Sequence, residues 1–149
     1  MTLFQSSKAR LVVWLQICCS GLLLFALLPN LVFADACRNA GADLRASFEV
    51  TQGRGGVWGY MEKISSLQKD SMIGFQVDGK LQRIIVIFET QCAKTNKPSR
   101  ANFDKIMNIL GDARMLFNLR PGRNPIKEIR AKINGLHTNL DKLIKELES

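Results

Sequence analysis

In the last quarter of this chain seven apolar residues, Ile126, Ile129, Ile133, Leu136, Leu140, Leu143 and Leu147, recur at intervals of 3, 4, 3, 4, 3 and 4. A strand has no use for that spacing, because its side chains alternate every second residue; a helix gathers all seven on one stripe. The stripe must be buried against something. A neighbour is at hand in Phe103, Ile106, Leu110, Ala113 and Phe117, spaced 3, 4, 3 and 4. Ser99 is placed to cap that helix, with Pro98 just outside it. Leu119 to Pro125 breaks the pattern, and Asn124-Pro125 restarts it with a cap and a first-turn proline. The expectation is an intramolecular helical hairpin, with helices at about 99–118 and 125–147. A homo-oligomer through the C-terminal helix is the alternative, although Gly135 and Asn139 weaken a long free-standing coil.

The preceding part of the chain reads as strands. Ala46, Phe48 and Val50 alternate with Ser47, Glu49 and Thr51, the period of a half-buried strand. Gln52-Gly53-Arg54-Gly55-Gly56 interrupts, and Val57 to Met61 resumes with aromatic and apolar residues, as in a hairpin. Asp78-Gly79 between Met72–Val77 and Leu81–Thr90 signals a second hairpin, since glycine accepts the positive φ of such a turn. Ile84-Ile85-Val86-Ile87-Phe88 has no polar face and suits a central strand covered on both sides. The expected fold class is therefore α+β. It is an antiparallel meander of about four strands within residues 44–92, followed by the C-terminal helical hairpin.

The amino terminus predicts a destination. Lys8 and Arg10 precede eighteen uncharged residues, Leu11–Leu28, then Pro29-Asn30 and the small residues around Ala34. That order is a secretory signal, with cleavage expected after Ala34. An uncleaved anchor over residues 11–28 is the alternative. Both place residues 35–149, a single domain, outside the cytoplasm, periplasmic or secreted. Cys18 and Cys19 leave with the signal. Cys37 and Cys92 remain, and an exported chain with two cysteines is expected to bridge them.

Removing residues 1–34 leaves 19 Lys and Arg against 13 Asp and Glu. The excess is local. Residues 94–132 hold ten basic and three acidic groups, whereas residues 35–93 are nearly balanced. Arg123, Lys127 and Arg130 align on one face of the last helix, away from its apolar stripe, and Arg120 lies in the turn before it.

Catalytic chemistry has little footing. His137 is the single histidine, so a histidine-ligated metal or a His-based triad lacks parts, and no metal or other cofactor is expected. Gly53-Arg54-Gly55-Gly56 has the chemistry of an anion cradle but no following Lys-Ser/Thr, and reads as a tight turn. Trp58 and Tyr60, two apart on a strand, are assigned to the core. The resulting expectation is an exported, non-enzymatic binding or accessory protein. Arg120, Arg123, Lys127 and Arg130 would engage an anionic partner, either an acidic protein or a lipid or other envelope polyanion. Export argues against nucleic acid. Two further readings stand beside it: a structural subunit associating through the heptad helix, and an envelope-polymer hydrolase using carboxylates such as Asp43 and Glu49.

Overall fold

Residues 35–52 form a helix (α1) in the computed structural model, which describes residues 35–149. The signal, its cleavage after Ala34, the anchor over 11–28 and the fate of Cys18 and Cys19 lie outside the described residues. Four further helices follow: α2 (Gly56–Glu62), α3 (Ser71–Thr95), α4 (Arg100–Leu116) and α5 (Ile126–Glu148), with a single 3₁₀ turn at Gln68–Asp70 before α3. No strand or sheet is present among the described residues, which corrects the α+β expectation: the fold is all-helical.

The error has a physical origin in each segment. On α1 the buried positions are Gly41, Leu44, Ser47 and Thr51, spaced 3, 3 and 4. Two of them are hydroxyls, so the helical period does not show as apolarity, while exposed Ala46 and Val50 imitate a strand. On α3 the buried set is Gly74, Val77, Leu81, Ile84, Ile85, Phe88 and Cys92. The Ile84–Phe88 run lacks a polar face because α3 is covered from several sides, which a central helix needs as much as a central strand. β-Branched residues there follow their burial and not their intrinsic preference. Asp78-Gly79 lies mid-helix, and Gly53–Gly56 joins α1 to α2.

Side-chain ties give the directions of the four long helices. Along α1 and α3 the pairs are Cys37–Cys92, Arg45–Glu89 and Gln52–Asp78, in opposite order, so these helices are antiparallel. Lys105 of α4 pairs with Glu146 near the end of α5, which sets those two antiparallel as well. Asp70–Arg130, Lys80–Asp141 and Arg83–Glu148 ascend together, so α3 and α5 run parallel. One core unites them, from Leu44 to Leu147, with Phe88 of α3 tilted against Phe103 of α4 at 6.1 Å between ring centroids.

The heptad stripe is spent inside this core. Ile129, Ile133, Leu136, Leu140, Leu143 and Leu147 are buried, and Ile126 packs at its edge. Each such side chain contributes roughly 1.5–3 kcal/mol relative to exposure. The main neighbours of α5 are α3 and α4, so the helix presents this stripe to its own chain. Ser99 caps α4 by accepting from Asn102 N, and a disulfide joins Cys37 to Cys92 with Cα atoms 5.7 Å apart.

Candidate functional site

The connections at one end of the bundle bring together residues that are distant in sequence. These are the α1–α2 turn, α2 with the segment up to the 3₁₀ turn, the start of α3, and the α4–α5 turn. Tyr60 on α2 donates its hydroxyl to Leu119 O at 2.9 Å and meets Phe117 edge-on at 5.6 Å. Burial pushes the Tyr60 phenol up from its ordinary value. Arg54 stacks its guanidinium over Phe117 at 5.7 Å. These contacts bind the α1–α2 turn to the α4–α5 turn.

The anion held just after the glycine-rich turn is one of the protein's own. Asp78, from α3, accepts the backbone N–H of Val57 at 2.9 Å and of Trp58 at 3.0 Å, so its carboxylate closes the first turn of α2. Gln52 Nε2 adds a long contact of 3.4 Å. Two glycines make this possible. Gly55 has φ of 92° and Gly56 of 68°, both in the left-handed region, and a Cβ on Gly56 would sit 2.4 Å from Asp78 Oδ2. The remaining turn amides are used locally, Gly53 N on Glu49 O and Gly55 N on Gln52 O. Burial raises the Asp78 carboxyl above its ordinary value, against the pull of Trp58 N, Val57 N and Gln52.

The four basic residues singled out in sequence divide. Arg130 is occupied: its guanidinium reaches Asp70 Oδ2 at 2.9 Å and Ser66 O at 3.1 Å, fastening α5 to the segment before α3. Arg120, Arg123 and Lys127 are exposed and have no ion-pair partner among the described residues. Asn124 shapes their turn by accepting from Arg120 N at 3.1 Å. The fold adds Arg54, Lys63 and Lys69 to this end, all exposed and likewise without an ion-pair partner among the described residues. Residues 52–79 and 117–132 together carry eight Lys and Arg against four Asp and Glu, while the other described residues carry eleven against nine. The charge excess is therefore concentrated at this end. Separation in sequence hid Arg54, Lys63 and Lys69; the one available signal was the placement of Arg54 within a glycine-rich turn.

Elsewhere the polar side chains tie helices together. His137 bridges α5 to α3, its Nε2 lying 2.9 Å from Lys80 Nζ and 3.0 Å from Gln76 Oε1. Lys80 also pairs with Asp141 at 2.6 Å, and that hydrogen bond holds the Asp141 carboxyl below the ordinary carboxylate range. Arg114, part of the basic stretch, turns inward and donates to Ser47 Oγ at 2.8 Å.

Asp43 and Glu49, the carboxylates paired in sequence, are not brought together. Asp43 and Glu49 lie six residues apart on α1, about 9 Å along its axis. Three surface clefts, lined respectively by Arg45 and Glu89, by Asp112 and Gly135, and by Lys94 and Asn102, hold at most one carboxylate each. Among the described residues no group of three or more His, Cys, Asp or Glu is arranged to hold a metal ion. No family model matches this chain, and neither does any curated protein or solved structure.

Proposed function

We propose that this chain is an exported, non-enzymatic binding or accessory protein whose basic end engages an anionic partner. One observation carries the reading. Most of the exposed cations that form ion pairs do so along the shaft of the bundle, as Arg45 does with Glu89 and Arg83 with Glu148. Arg54, Lys63, Lys69, Arg120, Arg123 and Lys127 instead share one end without a carboxylate opposite any of them among the described residues. Like charges held together lose stability through repulsion, and an external anion relieves it. Export rests on the order of Lys8, Arg10, Leu11–Leu28 and Ala34.

The test compares two triple or double sets at opposite ends. Arg120→Gln, Arg123→Gln and Lys127→Gln together should elute from an anionic matrix at lower salt than the parent chain. Lys94→Gln with Lys97→Gln, in the last turn of α3 and just beyond it at the opposite end, should elute close to the parent. Losses in proportion to the charges removed, three against two, would reduce the effect to net charge and overturn the reading. Amino-terminal sequencing of protein recovered outside the cytoplasm, starting at Asp35, would support export and cleavage.

A further inference from the structure

Three of the largest exposed apolar side chains lie together at the basic end. Met72 and Phe75, 65% and 63% exposed, are three residues apart and so neighbours on one face of α3. Trp58, 49% exposed, is carried on α2 beside this stretch: its backbone packs on Gly74, the residue before Phe75, and the Cβ position of Gly74 is 2.8 Å from Trp58 Cα. The outer face of α3 continues without a charge through Gly79, Gln82 and Val86, spaced 4, 3 and 4 from Phe75. Large apolar side chains exposed near one another mark a surface that meets an apolar phase.

We propose that this face lies on an anionic lipid bilayer, with Trp58, Met72 and Phe75 entering the interfacial zone and the neighbouring cations meeting headgroups. The inference rests on the anionic-partner reading and names that partner's class. Charge decides between lipid and a second copy. Lys69 lies three residues before Met72 and has no ion-pair partner among the described residues, so a two-fold axis through the patch would set this cation against its own image. An anionic bilayer satisfies both features, since an amphipathic surface of aromatic and apolar residues flanked by Lys and Arg enters about 5–10 Å into the headgroup boundary. Long basic side chains extend toward phosphate while their stems stay in apolar surroundings. No helix of the described residues is long and apolar enough to cross a membrane.

Among the described residues every buried core side chain lies between Leu44 and Leu147, so residues 35–149 carry that core together with the disulfide. In that form Trp58 is the sole tryptophan and reports directly. Vesicles of phosphatidylcholine with and without phosphatidylglycerol, and heparin as a lipid-free polyanion, serve as probes. The expected result is a blue shift of Trp58 emission with the phosphatidylglycerol vesicles and none with phosphatidylcholine alone. Phe75→Ser should weaken vesicle binding by about 10- to 100-fold, the effect of keeping one aromatic ring out of an apolar phase. It should leave heparin retention unchanged. Circular dichroism of Phe75→Ser checks the fold, and Met72→Ser provides a second, milder variant.

Salt-sensitive heparin binding without vesicle binding would overturn the lipid inference and leave the basic-end reading standing. Binding to neither would overturn both. A dimer in sedimentation that Phe75→Ser dissociates, with vesicle binding unaltered, would assign the patch to self-association and also overturn the inference.

Discussion

The carboxylate of Asp78, one quarter of the way along α3, accepts the backbone N–H of Val57 at 2.9 Å and so serves as the cap that α2 lacks in its own sequence. Gly55 precedes α2 and offers no side chain, so the orphan amides of the first turn are met from another helix. Replacing Asp78 with Ala should destabilise the fold by about 1 kcal/mol, the usual cost of removing a helix N-cap. Gly56→Ala should also destabilise, through its φ and the 2.4 Å approach to Asp78 Oδ2. Urea denaturation of both single variants and the double variant is the check. The double variant should lose less than the two added, because removing the carboxylate relieves the clash.

The same carboxylate makes an acid-side prediction with an unusual sign. Burial raises the folded-state value of Asp78 above its unfolded one. Such a group contributes stability that is full below the unfolded value and is lost as pH rises through the folded one. The parent chain should therefore gain on Asp78→Asn as pH falls from neutrality toward the ordinary aspartate range. Paired denaturation curves at several pH values measure the difference. A parent chain that instead loses relative to Asp78→Asn on acidification would mean that the two N–H bonds outweigh desolvation.

Gly74 is the contact point of α2 on α3. An added Cβ would lie 2.8 Å from Trp58 Cα and 2.9 Å from Trp58 N, both backbone atoms that cannot swing aside. Gly74→Ala should cost about 1–3 kcal/mol by overpacking, despite alanine's better helix propensity. Gly79→Ala, with no atom within 4 Å of its Cβ position, should be neutral or stabilising. Thermal melts of the two variants should therefore move in opposite directions or differ clearly.

Cys37 and Cys92 are 55 residues apart, and the bridge fastens the start of α1 to the end of α3. Cys37→Ser with Cys92→Ser should destabilise by ~4 kcal/mol on the chain-entropy account. Denaturation of the parent chain with and without reductant should reproduce most of that loss.

Lys80 holds Asp141 below the ordinary carboxylate range by a 2.6 Å hydrogen-bonded pair. Lys80→Met should move the Asp141 titration midpoint upward. Carboxyl-carbon chemical shifts followed through an acid titration read this directly, and an unmoved midpoint would assign the depression to another group.

Much of the helical half could be read in advance, for a definite reason. On α4 and α5 apolar residues occupy nearly every buried position, so the period of burial is visible as a period of hydrophobicity: Ile106, Leu110 and Ala113, then Ile129 to Leu147. On α1 the buried positions include Ser47 and Thr51, and on α3 apolar residues stand on every side. There periodicity carries no information, and β-branched residues and an Asp-Gly pair point the wrong way. A strand face would put Trp58 in the core, but on a helix it stands outside, and Tyr60 faces the α4–α5 turn.

The candidate site divides along the same line. Charge density in residues 94–132 is a property of composition, and Arg120, Arg123 and Lys127 follow from it. So does the pairing of Cys37 with Cys92, since two cysteines in residues 35–149 allow one bridge. Three-dimensional packing alone decided that Arg130 would be used on Asp70, that Arg54, Lys63 and Lys69 would join the basic end, and that Met72 and Phe75 would be left uncovered there. The reason is that a helix stripe reports which face is buried but not which helix buries it. Which cations share a surface depends on how turns meet at the end of a bundle, and those contacts join residues as distant as Tyr60 and Leu119.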